Sequence, residues 1–225
     1  MAKKEKKDVM EIIESPEALQ QEVSKVTGFF EKNKSTTLGA GIALIALVAG
    51  FFGFQWYKNS QDVEGEKKLY KAVYAFESDS LSAAAKEMAK ISDEFGGNTQ
   101  NLSDLYLGIT LLKQGKYDQA IEKLKNFSSA DLLVQARAYS LVGDAYAEKK
   151  SFGEAIEYYQ KAADYKPNKF FTPTYLLKLA LAFEANKQGK EALDAYSQIT
   201  DKFPESAESI PAKKYKALLE SSISE

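Results

Sequence analysis

Residues 140–168 read "SLVGDAYAEKKSFGEAIEYYQKAADYKPN", and related stretches stand on both sides. Upstream, residues 105–127 read "LYLGITLLKQGKYDQAIEKLKNF"; downstream, residues 177–206 read "LKLALAFEANKQGKEALDAYSQITDKFPES". Between Leu102 and Pro204 the pattern returns every 35 to 37 residues, a period that specifies stacked helical hairpins. Each hairpin alone leaves an apolar face uncovered, and the next one covers it. Small side chains at Gly108, Gly143, Ala155 and Ala192 let paired helices approach. The rings of Tyr146, Tyr159 and Tyr196 are expected to fill the space between pairs.

The three units resemble the tetratricopeptide repeat. In the first, Leu107, Gly108, Gly115, Tyr117, Ala120 and Leu124 hold the pattern's positions, without its closing proline. In the second, Gly143, Tyr146, Phe152, Ala155, Tyr159, Ala162 and Pro167 hold them. In the third, Leu179, Ala180, Phe183, Ala192, Tyr196 and Pro204 do so, with Ala180 for the usual glycine and Gly189 for an expected aromatic. These departures predict looser packing there. Residues 65–97, "GEKKLYKAVYAFESDSLSAAAKEMAKISDEFGG", read as a degenerate first repeat with Ala84, Met88 and Ile91 on its inner face. Residues 209–222, "SIPAKKYKALLESS", read as a capping helix that starts at Pro211 and carries Tyr215, Leu218 and Leu219 on one face.

The resemblance implies that the first helices of successive hairpins line a concave groove. Repeat register assigns to it Leu102, Leu105, Ile109 and Leu112, then Arg137, Ser140, Asp144, Ala147 and Glu148, then Thr174, Leu177, Leu181 and Glu184. A partly apolar groove with a charged middle suits protein segments better than a small metabolite. The Lys and Asn clamp with which chaperone-binding members hold a C-terminal carboxylate is not matched.

A second feature stands apart from the repeats. Residues 38–57, "LGAGIALIALVAGFFGFQWY", carry no charge, and twenty helical residues rise about 30 Å, the thickness of a bilayer's hydrocarbon core. Lys32 and Lys34 precede the run, and Trp56, Tyr57 and Lys58 close it, an interfacial pattern. The 37 residues before it and its aromatic end favour a retained transmembrane helix over a cleaved signal peptide. Gly39, Ala43, Ala46, Gly50 and Gly53 share one face, which is either an interface with a second membrane helix or ordinary membrane-helix composition. A short Lys-bearing tail and a long near-neutral domain favour an N-terminus inside and a translocated C-terminal domain. Ser15, Pro16 and Glu17 open an amphipathic helix before the membrane, and residues 1–15 read as a disordered charged tail.

Composition excludes much chemistry. The chain contains no Cys and no His and has a net charge of −2, so zinc and haem ligation, thiol and histidine nucleophiles, and a basic nucleic-acid footprint are absent. Gly115-Lys116 and Gly189-Lys190 read as hairpin turns, not phosphate loops. Asp144 and Glu148, one helical turn apart, read as a solvated face and not a catalytic pair. The expectation is a chain that is not an enzyme and needs no cofactor or metal.

The expected fold is all-α: one N-terminal transmembrane helix, then a tetratricopeptide solenoid with a capping helix. Its segments are 1–15, 16–37, 38–57, a linker helix and degenerate repeat at 58–100, three repeats at 101–206, and the cap at 207–225. With "FFEKNK" before the span and Trp56 at its end, this layout is similar to the YfgM family of bacterial inner-membrane proteins. That resemblance implies periplasmic repeats beside the Sec translocon, a PpiD-like peptidyl-prolyl isomerase as partner, and newly exported chains as clients. A scaffold of another envelope complex is the alternative, and an organellar import receptor would have the opposite topology.

Overall fold

The computed structural model describes residues 33–223, apart from the side chains of Thr37, Lys58, Asn59 and Ile223, together with Gln20, Val23, Ser24, Thr27 and Gly28. The charged tail and most of the amphipathic helix expected before the membrane lie outside the described residues. The chain divides into two compact units, Met1–Asn59 and Ser60–Glu225.

Helix α1 spans Lys34–Glu77, so the apolar run expected as a separate helix is part of a longer one. No proline interrupts it, and its Ala and Leu residues are strong helix formers. Every side chain from Leu38 to Tyr57 is exposed, and the segment is long and apolar enough to cross a membrane. Along the Gly39, Ala43, Ala46, Gly50 and Gly53 face, a Cβ added at any of the three glycines would meet nothing within 4 Å.

In the second unit, the last turns of α1 pair with α2 (Leu81–Glu94). Three further hairpins follow: α3 (Gly97–Lys113) with α4 (Tyr117–Asn126), α5 (Leu132–Glu148) with α6 (Phe152–Asp164), and α7 (Thr172–Ala185) with α8 (Gly189–Lys202). Helix α9 (Ser209–Ile223) closes the array. The described residues of this unit form helices and turns only.

All four hairpins turn in the same way. Asp79, Gly115, Lys150 and Lys187 occupy equivalent positions with φ of 57°, 74°, 61° and 61°. At each, the following residue's N–H reaches a carbonyl five residues back: Ser80 to Ala75, Lys116 to Leu111, Ser151 to Tyr146 and Gln188 to Phe183, each 2.9 Å. The left-handed residue itself donates three residues back, as Lys150 does to Ala147 at 2.8 Å. This pair of bonds is the Schellman closure, which satisfies carbonyls that a helix end leaves open. Its presence at Asp79 gives residues 60–94 the same turn geometry as the three hairpins that follow. At the fourth turn the left-handed residue is Lys187, whereas Gly189 opens α8. The expectation of a turn at Gly189 is therefore displaced by two residues.

Packing follows the small residues. A Cβ on Gly108 would lie 2.6 Å from Leu124 Cγ, and one on Gly143 would lie 2.6 Å from the Tyr159 ring. Gly65 also leaves no room for a side chain, with Thr99 Cγ2 of α3 at 2.7 Å and the ring of Phe95, which follows α2, at 2.9 Å from an added Cβ. Ala120, Ala155 and Ala192 are fully buried on the second helices. Three apolar seams result. Leu69, Ala72, Met88, Ile91 and Leu107 form the first; Leu105, Ile121, Leu124, Phe127, Ala138 and Val142 the second; Tyr159, Leu176, Leu179, Tyr196 and Ile199 belong to the third. Tyr159 packs against Gly143 of its own hairpin and also shares the third seam with Tyr175, Leu176 and Leu179 of the next one. Tyr146 is half-buried and stacks on Tyr158 with ring centroids 5.6 Å apart.

One ion pair sits inside this apolar frame. Asp104 on α3 is buried, accepts from the Ser92 hydroxyl at 2.7 Å, and meets Lys123 Nζ of α4 at 3.2 Å. A buried carboxylate needs such partners, so these groups fix α2, α3 and α4 in register. Helix α9 docks through fully buried Ala212, through Leu219 and through Tyr215, whose ring centroid is 6.0 Å from that of Tyr196. Leu218, expected on the same face, stays 57% exposed.

Candidate protein-binding groove

The facing edges of α5 and α7 carry a polar cluster. Ser140, Asp144 and Glu148 follow one another at four-residue spacing on α5, so they share one edge. From α7, Lys178 donates to both carboxylate oxygens of Asp144 at 2.8 Å and to the Ser140 hydroxyl at 3.1 Å. From α6, the Tyr159 hydroxyl donates to Asp144 Oδ1 at 2.8 Å. The Lys178 ammonium also lies 5.8 Å from the Tyr159 ring centroid. With three hydrogen bonds from two donor groups directed onto it, Asp144 is a structural acceptor that joins three helices. Glu148 is exposed and accepts from the Tyr117 hydroxyl of the preceding hairpin at 3.3 Å.

The next unit repeats the device. Tyr196 of α8 donates its hydroxyl to Glu184 of α7, so an acid on α5 and an acid on α7 each receive a tyrosine from the second helix of their own hairpin. Burial first, then the neighbouring carboxylates, push the Tyr159 and Tyr196 hydroxyls well above the usual tyrosine pKa. The sign follows directly. An unfolded tyrosine ionises near pH ~10, so a raised folded value gives stability that is whole below that pH and lost as pH rises above it. The double variant Tyr159→Phe with Tyr196→Phe should be less stable at neutral pH by about 1 kcal/mol per lost hydroxyl. Its unfolding free energy should fall less steeply than the parent's above pH ~10. Urea titrations across that range measure both, and parallel curves for the two chains would overturn the assignment.

The structure distributes the expected groove residues unequally. Leu105 is buried among Ile121, Leu124, Phe127, Ala138 and Val142. It is core, which corrects its assignment to an open groove. The physical reason is that α3 lies between two seams, and Leu105 points into the one shared with α5. Leu102 and Leu112 are half-buried and touch both seams, and Ile109 packs on the second. Leu177 is half-buried against the third seam. Leu181 remains 43% exposed, uncovered by α9. Arg137 is exposed. Burial raises the pKa of the adjacent Tyr175 hydroxyl, and the Arg137 charge pulls it part of the way back. Thr174 donates to Glu208 at 2.6 Å, tying α7 to the segment before α9. The accessible part of the groove therefore lies on α5 and α7: Arg137, the Asp144–Lys178 pair, Glu148, Leu177 and Leu181.

Sequence register did not single out Lys178, Tyr117 or Tyr159 as groove partners, because each occupies a repeat position whose side chain is ordinarily read as packing or surface. An i, i+4 acid ladder on α5 opposite a lysine on α7 is the signal that would have found the cluster.

Residues 105–169 match the family model of the tetratricopeptide repeat, and residues 174–206 match a second model of the same repeat. No curated protein sequence matches the chain. Among solved structures, the chain is similar to a crystal structure of MamA at 23% identity and a TM-score of 0.57, over 68% of this chain and 84% of that one. MamA from Desulfovibrio magneticus RS-1 is similar at 21% identity and a TM-score of 0.52, over 61% of this chain and 74% of that one. MamA AMB-1 is similar at 18% identity and a TM-score of 0.54, over 72% and 90%. At these identities the likeness is one of fold. The all-helical domain that carries the groove is thus an array of tetratricopeptide repeats, an architecture that presents protein-binding surfaces.

Proposed function

We propose that this protein is a non-enzymatic, membrane-anchored adaptor, and that the face shared by α5 and α7 binds protein segments. One observation carries this reading: a charge-paired, cross-helix cluster at Asp144 and Lys178 is flanked by the exposed Arg137 and the exposed Leu181. A rigid polar centre beside an apolar contact and a cation gives an extended polypeptide both an anchor and a register.

The finer proposal rests on the layout similar to the YfgM family. The apolar part of α1 sits in a bacterial inner membrane with the N-terminus in the cytoplasm and the repeats in the periplasm. The protein works beside the Sec translocon with a PpiD-like peptidyl-prolyl isomerase, and assists newly exported chains. The face of Gly39, Ala43, Ala46, Gly50 and Gly53 contacts a partner's membrane helix, where close packing drives association. Affinity recovery of the full-length protein from native membranes should bring down translocon subunits and an isomerase, and Ala46→Leu with Gly50→Leu should reduce that recovery. Recovery of neither partner would sink the translocon role, and recovery of a different envelope complex would replace it with the scaffold reading.

A further inference from the structure

In the interior units, the face of each first helix that meets the preceding hairpin is buried. Ser103 and Thr110 of α3, Ala138 and Ala145 of α5, and Tyr175 and Ala182 of α7 hold these positions. The equivalent residues of α1 are Lys67 and Tyr74, and no hairpin precedes them in the second unit. A terminal repeat ordinarily presents a polar outer face. Here Val63, Tyr70 and Tyr74 are 45%, 78% and 68% exposed.

These residues form a pattern. Positions 63, 67, 70 and 74 alternate steps of four, three and four, the spacing of a heptad seam with Val63 and Tyr70 at d and Lys67 and Tyr74 at a. At about 100° per residue the seam lies roughly opposite Gly65, Leu69, Ala72 and Phe76, the face that packs into the array. Glu66 and Lys71 flank it at g and e, and among the described residues neither joins an ion pair.

We propose that this face of α1 binds the same face of a second copy of the chain, in parallel, making a two-fold symmetric dimer with the arrays on opposite sides of the seam. Charge selects both the occupant and its direction. In a parallel pair, each g residue faces the e residue five positions on in its partner, so Glu66 of each copy meets Lys71 of the other. An antiparallel pair would set Glu66 against Glu66 and Lys71 against Lys71. Self-pairing satisfies both charges twice, as an isologous interface must.

The absence of cysteine allows a direct test on the full-length chain in lipid vesicles. Val63→Cys, Tyr70→Cys and Tyr74→Cys each replace an exposed side chain, and a parallel seam places each one beside its own counterpart. With a mild oxidant, all three should form covalent dimers roughly tenfold faster than Lys190→Cys, an exposed position on α8 at the same protein density. In the Tyr70→Cys chain, Glu66→Lys should slow cross-linking, and adding Lys71→Glu should restore it. Rates no faster than the Lys190→Cys control, cross-linking at only one of the three positions, or no restoration by the paired charge exchange would each overturn the proposal.

Discussion

Gly143→Leu should destabilise the array by at least ~3 kcal/mol, a fall in melting temperature of roughly 6–12 °C for a domain of this size. The cause is local and steric. A Cβ at residue 143 would lie 2.6 Å from two atoms of the Tyr159 ring. The ring cannot swing aside without breaking the hydrogen bond from its hydroxyl to Asp144 and vacating a seam that holds Ala155, Ala162 and Tyr175. Even Gly143→Ala should lose stability, although alanine is the better helix former by about 1 kcal/mol. The matched control is Gly153→Ala on α6, where the added carbon meets nothing within 4 Å. There only the propensity remains, and the change should stabilise by about 0.5–1 kcal/mol. Thermal and urea unfolding of the three variants compare these directly. Equal stability for Gly143→Leu and Gly153→Ala would mean that α5 and α6 are not held at the separation described.

Leu105→Glu and Leu181→Glu should part company. Both positions belong to the groove by repeat register, yet the first is buried between Ile121, Leu124 and Val142 and the second is 43% exposed. Leu105→Glu removes a core side chain and places a carboxylate where no cation awaits it, a loss of about 4 kcal/mol or more. Leu181→Glu should shift stability by no more than about 0.5 kcal/mol. Its effect should fall on partner binding instead, together with Arg137→Glu, with about a tenfold loss for each in affinity for a recovered partner. Circular dichroism with urea separates the two outcomes. A folded Leu105→Glu chain that has lost binding would return that residue to the groove, and unchanged binding by both Leu181→Glu and Arg137→Glu would remove the α5–α7 face as the docking surface.

The contrast between these leucines shows what was legible in the sequence. Helical hairpins follow from a period near 35 residues and from glycines or alanines at the crossing points, and Gly108 and Gly143 sit at helix crossings with no room for a side chain. In the first hairpin Ala72 holds the position of Gly108 and Gly143, and Gly65 is a separate close approach, against Phe95 and Thr99, in a hairpin without the aromatic and proline landmarks that align the others. The groove was harder to read. Repeat register gives the direction in which a side chain points, while its exposure depends on how far neighbouring hairpins stand apart. That separation is set by the volumes of residues such as Phe127 and Val142, which belong to different repeats. Register therefore placed Leu105 and Leu181 alike. Cross-helix pairs such as Asp144 with Lys178 and Asp104 with Lys123 were hidden for a related reason: an acid and a base on separate helices carry no mark of their distance until the helices are packed.

The four matching turns at Asp79, Gly115, Lys150 and Lys187 bear on the order in which the array is built. Each closure uses main-chain groups at most five residues apart, so a hairpin can shut as soon as its own residues are available, with little loop entropy to overcome. Synthesis delivers the N-terminal unit first, and the turn at Asp79 closes before α3 exists. The chain then grows against a finished template: Ser103 and Thr110 of α3 find the Met88 carbonyl and sulfur already in place, and each new hairpin is received by the one before it.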